Sequence, residues 1–125
     1  MQDQQNIFAA INALGQRIDA LAQYMDHWFD TLERRFNSLE NRQTNFEIAA
    51  VNARLMAANS AAILQPPVDI RNGGDIPNFP VSQPQLFEID NAAADAILPA
   101  LGIHLAPNMP LGIKRESILR KWIQK

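Results

Sequence analysis

All eight prolines of this chain lie after Gln65, and before that point there is a single glycine, Gly15. Proline inside a helix removes a backbone donor and clashes with the preceding turn, at a cost of roughly 3 kcal/mol. A proline-free run this long, rich in Ala, Leu, Gln, Arg and Glu, can therefore be helix throughout, and the proline-rich remainder cannot. The periodicity of the first half agrees. Ile7, Ile11, Leu14, Ile18, Leu21, Met25, Trp28 and Leu32 alternate spacings of four and three. That is a heptad seam, the pattern that keeps one stripe of a helix facing a partner helix.

In heptad terms Ile11, Ile18, Met25, Leu32, Leu39 and Phe46 take the a positions. Ile7, Leu14, Leu21 and Trp28 take d, followed by Arg35 and Arg42. Most e positions are apolar as well, with Phe8, Ala22, Phe29 and Phe36. A two-stranded coil needs only a and d, so this wider stripe calls for more than two helices or for cover from elsewhere in the chain. The two arginines on the seam can pack their stems while the guanidinium groups reach water or a carboxylate such as Glu33 or Glu40.

Two readings of the stretch around Asn41 stand side by side. Thr44-Asn-Phe-Glu47 has the spacing of a capping box, which would start a new helix and make a helical hairpin turning at Asn41–Thr44. The lack of glycine or proline there favours one continuous helix to about Leu64, roughly 90 Å long at 1.5 Å per residue. Residues 1–64 are thus expected to form an oligomerisation stalk, with Ile7, Ile11, Leu14, Ile18, Leu21, Met25, Trp28, Leu32, Phe36 and Leu39 as its contacts.

Residues 65–84 form a connector. Pro66-Pro67, Gly73-Gly74, Pro77, Pro80 and Pro84 disfavour helix and suit extended chain and turns. Its apolar residues Val68, Ile70, Ile76, Phe79 and Val81 set it apart from a flexible linker, and it is expected to lie against helices with Phe79 as an anchor. Residues 85–125 read as a small helical unit. Asp90 caps a helix over Asn91–Leu101, Gly102 ends it in the left-handed conformation, Pro99 kinks or shortens its last turn, and Ile113–Ile123 is a second amphipathic helix. The expected fold is all-α.

Composition bounds the function. The chain has 125 residues, enough for one ordinary domain or a small domain on an extended element. It has no cysteine, which removes disulfides, thiolate metal sites and thiol nucleophiles together and fits a reducing compartment. Net charge is −2, so the overall balance gives no electrostatic reason to expect nucleic acid or an anionic membrane. The N-terminus lacks the pattern of a signal peptide and no stretch approaches a membrane span. These features predict an intracellular protein, cytoplasmic or nuclear, with no membrane contact.

No site chemistry emerges. Asp26, His27 and Asp30 cluster on one helix face with a single strong transition-metal ligand among them, which reads as solvated surface and predicts no metal. His104 sits in an apolar loop. Ser38, Ser60, Ser82 and Ser117 lie in no nucleophile motif, and Gly73-Gly74 is a turn. No catalytic residue and no cofactor is expected, hence no enzyme. One electrostatic feature remains: Lys114, Arg115, Arg120, Lys121 and Lys125 against Glu116 alone in residues 111–125. Such charge either complements the dipole of a terminal helix or contacts phosphates. Lys114, Arg115, Arg120 and Lys121 are the candidate partner or phosphate contacts, expected to form one broad basic surface.

Two resemblances rest on particular residues. Arg34-Arg35, Leu39-Glu40-Asn41-Arg42, Asn52-Ala53-Arg54, Pro77-Asn-Phe-Pro80, Leu86-Phe87, Ile97-Leu98-Pro-Ala-Leu101-Gly102 and the closing basic helix resemble fungal proteins of the meiotically-upregulated-gene-135-like C-terminal domain family, over residues 32–125. The chain departs from that pattern in its fuller N-terminal heptad run and in lacking a small-residue end after Ile123. The resemblance implies a fold and no catalytic residues. More weakly, Leu98–Gly102 and Gly112-Ile-Lys114-Arg115 with Leu119-Arg120 resemble SAP-type DNA-binding modules, although the loop between them is long. The leading expectation is a non-enzymatic protein that homo-oligomerises through its N-terminal helix and presents its C-terminal unit to a protein partner; the alternative is an oligomeric nucleic-acid binder.

Overall fold

A computed structural model describes residues 2–123. It contains, in order, four helices: α1 (Gln2–Ala58), α2 (Gln83–Leu86), α3 (Asn91–Ala100) and α4 (Leu111–Trp122). Among the described residues there is no strand beyond an isolated bridge between Val68 and Asp75, so the fold is all-α. α1 runs 57 residues without interruption, so the hairpin alternative does not hold. Thr44 and Glu47 are exposed in mid-helix and cap nothing. The helix ends at Ala58, short of the expected Leu64. Asn59 closes it: its N–H bonds the Leu55 carbonyl at 3.0 Å, and its side chain accepts from Ala61 N at 3.0 Å, turning the chain back.

The chain divides into two units, Met1–Phe36 and Asn37–Lys125. The first is helix alone. Among its described residues nothing is buried, and only Thr31 is half-buried.

The second unit starts inside α1, not at the connector as the proline boundary suggested, because the connector folds back on that helix. Its core is Leu64, Ile76, Leu86, Ala94, Ile97, Leu98, Ile118, Leu119 and Trp122, with Ala53, Met56 and Phe79 packed at its edge. Phe79 meets Trp122 edge-on, ring centres 4.8 Å apart and planes at 86°, a favoured aromatic geometry.

Three asparagines of α1 hold the connector. The amide of Asn45 donates to Val68 O at 2.8 Å and accepts from Val68 N at 2.7 Å, imitating a strand neighbour. Asn52 does the same to Gln65 at 3.0 and 2.8 Å, and Asn41 donates to Ile70 O at 3.2 Å. The spacings explain the fit. From Asn41 to Asn52 a helix rises about 16 Å at ~1.5 Å per residue. From Gln65 to Ile70 an extended chain covers about the same distance at ~3.3 Å per residue, running the opposite way. Between the two fully paired residues lie Pro66 and Pro67, which have no N–H to satisfy, so this packed segment leaves few donors to be matched.

The shorter helices obey local chemistry. Ser82 caps α2 and Pro84 lies in its first turn, where a missing N–H costs nothing; α2 therefore begins inside the segment expected to be non-helical. Asp90 caps α3 by accepting from Ala93 N at 2.8 Å. Pro99 fits in the last turn, and Gly102 takes a φ of +74° just beyond it, as expected.

Candidate functional site

The apolar stripe of the first unit is exposed along its described length. Ile7, Ile11, Leu14, Ile18, Leu21, Met25, Trp28, Leu32 and Phe36 are all between 40% and 62% exposed. Leu39, just inside the second unit, is 64% exposed. Phe8, Tyr24 and Phe29 flank the stripe and are equally open. An α-helix turns about 100° per residue, so d, a and e span one continuous face of about 100°, with b on the e side of it and g on the d side. The b positions hold Asp19, Asp26, Glu33, Glu40 and Glu47, a carboxylate every seven residues. The apolar stripe is thus edged by acid along e. Along its other edge stand Arg35 and Arg42.

In the second unit the same helix changes duty. Asn41 and Asn45, at c and g, carry the connector, and Ala49, at d, is buried. The chain's own residues cover the d and g side there, while Phe46, at a, stays 56% exposed.

The four candidate phosphate contacts do not form one surface. Lys114 is 8% exposed; its ammonium lies 2.7 Å from Asp95 Oδ1 and donates to Asn91 Oδ1 at 3.1 Å. Arg115 is half-buried and donates to the Ile89 carbonyl from Nη2 at 2.6 Å and Nε at 3.2 Å. These two cations brace α4 against α3 and the segment before it. The expectation of a shared face assumed that α4 presents both ends of its charge to water; instead its first turns are packed. Only Arg120 and Lys121 remain exposed, and Arg120 has Glu116 at 3.5 Å.

Arg120 and Lys121 help form a cavity of about 390 Å³ in the second unit, rimmed by these two residues and Arg42 over a floor of Phe46, Ile70 and Leu101. Sequence reasoning missed it, since its residues come from four separate segments. It missed the asparagine ladder as well, since asparagine ordinarily signals turns and caps. A third feature is Asp69, buried beneath Arg71. Its Oδ1 accepts from the Arg71 backbone N–H at 2.9 Å and from Nε at 3.0 Å, and Oδ2 accepts from Nη2 at 2.8 Å. Hydrogen bonds from the Arg71 side chain hold the Asp69 carboxyl below the usual range, against the opposing effect of burial.

Asp26, His27 and Asp30 lie exposed on α1, and His104 is exposed in its loop. Among the described residues no group of three or more His, Asp or Glu is placed to hold a metal ion, and no helix is long and apolar enough to cross a membrane. Comparison of the chain with family models, curated proteins and solved structures finds no match.

Proposed function

We propose that this chain is a non-enzymatic, intracellular assembly protein that homo-oligomerises through the N-terminal part of α1 and thereby presents several copies of its C-terminal unit to a protein partner. The observation that carries this is the exposure of the whole heptad seam on a helix that the chain itself leaves uncovered. Half-burying ten large apolar side chains contributes about 1 kcal/mol each, or ~10 kcal/mol per copy. Two copies then exceed the ~4–15 kcal/mol that association costs in lost freedom. A lone helix with this stripe in water would have little tertiary packing to hold it, since most helical stability in proteins comes from the packed apolar face.

Leu21→Asp tests it. The substitution places a carboxylate in the middle of the seam, where burial without a partner is costly. Circular dichroism and light scattering are expected to show helicity and mass falling together. A variant that keeps the mass and helicity of the natural chain would remove the seam from the assembly.

A further inference from the structure

The cavity rimmed by Arg42, Arg120 and Lys121 carries cations and no lining carboxylate. Among the described residues neither Arg42 nor Lys121 has an ion-pair partner, and Arg120 has only the 3.5 Å contact to Glu116. The floor is apolar and its Phe46 ring is 56% exposed. An occupant that covers Phe46 also takes water from the cations, and desolvated charge is tolerated only when it is paired. The occupant must therefore bring apolar surface and carboxylates side by side.

α1 has such a surface. Glu40 and Glu47 are exposed, lie seven residues apart on one line, and have no ion-pair partner among the described residues. They cannot fill the cavity of their own chain. Glu47 is one residue from Phe46 and Glu40 two from Arg42, which turns them about 100° and 200° around the helix, and neither lines the cavity.

We infer that the cavity receives the Glu40–Glu47 line of a neighbouring copy, and that the copies are therefore parallel and in register. This rests on the proposed assembly and adds its polarity and its charged contact. The stripe is centred near a, with d about 60° to one side and e about 40° to the other. In a parallel pair or ring the e edge of each helix meets the d and g edge of the next, as in ordinary parallel coiled coils. The acidic line beyond e then meets Arg42 and, through the cavity, Arg120 and Lys121. In an antiparallel pair like edges meet, so the carboxylate rows of the two copies face and repel each other, and the Glu40–Glu47 line of one copy no longer lies opposite the Arg42 edge of the other. Charge pairing at such edges sets partner choice and orientation more than raw affinity.

The chain has no cysteine, so a single introduced thiol reports without background. Gln4 occupies an a position near one end of α1. In the full-length chain, Gln4→Cys treated with a short bismaleimide is expected to give a covalent dimer at high yield, since parallel copies bring this position to its own equivalent. Charge reversal checks the contact itself. Arg42→Glu with Lys121→Glu, and separately Glu40→Lys with Glu47→Lys, are each expected to weaken self-association on the order of tenfold, as a few rim ion pairs would. All four changes in one chain reverse both sides and restore it. An oligomer in which Gln4→Cys does not cross-link, or in which the fourfold variant is no tighter than either twofold variant, overturns the inference and leaves the assembly intact. A monomeric natural chain overturns both.

Discussion

Asn52 has no exposed surface, and its side chain meets three backbone groups: Gln65 N, Gln65 O and the Trp122 carbonyl at 3.1 Å. The Trp122 indole N–H joins the same cluster by donating to Gln65 O at 2.7 Å. One amide thus ties helix, connector and the end of α4. Asn52→Leu keeps the volume and removes the side-chain partner of the Gln65 N–H beside a fully buried position, so a loss of about 3 kcal/mol is expected in urea unfolding of the full chain. A loss under about 1 kcal/mol would show that water replaces the amide. No sequence signal distinguishes this asparagine from a helix-surface or turn asparagine, because its partners are backbone atoms thirteen and seventy residues away. Asp69 was equally hidden. Its carboxyl titrates lower folded than unfolded, so its contribution to stability is fully present above the unfolded value of about 3.9 and is lost as pH falls through the lower folded value. Between pH 5 and pH 2 the urea midpoint of the natural chain should fall more steeply than that of Asp69→Asn; parallel curves would mean that Arg71 does not act on it.

Among the elements, those read correctly had a local cause. The helical N-terminal half, the Asp90 cap, Gly102 at a helix end and the packed connector are written in spacing and residue type, and they survive in α1, α3 and the chain between them. Those read differently had a distant cause. The capping box at Thr44 lost to the continuation of α1, whose Asn41 and Asn45 are held by the connector on either side of it. Lys114 and Arg115 lost their place on an open surface to Asp95, Asn91 and Ile89. Gly102 shows both kinds of cause at once. Its φ of +74° comes from the helix end, but a Cβ there would lie 2.5 Å from Ile70 Cδ1 and 3.0 Å from the Arg42 guanidinium. Gly102→Ala therefore meets backbone strain of about 1–2 kcal/mol and must also push Ile70 aside. A thermal midpoint lowered by several degrees is expected for a unit of this size, and an unchanged midpoint would mean the turn has room to relax.

For the whole molecule, the division of labour is set by where apolar surface is covered. From Asn37 onward the chain buries its own core, and Asn41, Asn45 and Asn52 dock the connector on α1. Up to Phe36 it buries nothing among its described residues, although the spacing of its apolar residues is as regular as any in the chain. Under the proposed assembly, identical copies cover that stripe at matched register. The most direct measurement is sedimentation equilibrium of the natural chain from about ten-fold below to ten-fold above micromolar concentration. The expected result is a fixed multiple of 14.0 kDa across the range. A mass of one chain at every concentration, with helicity retained, would contradict it.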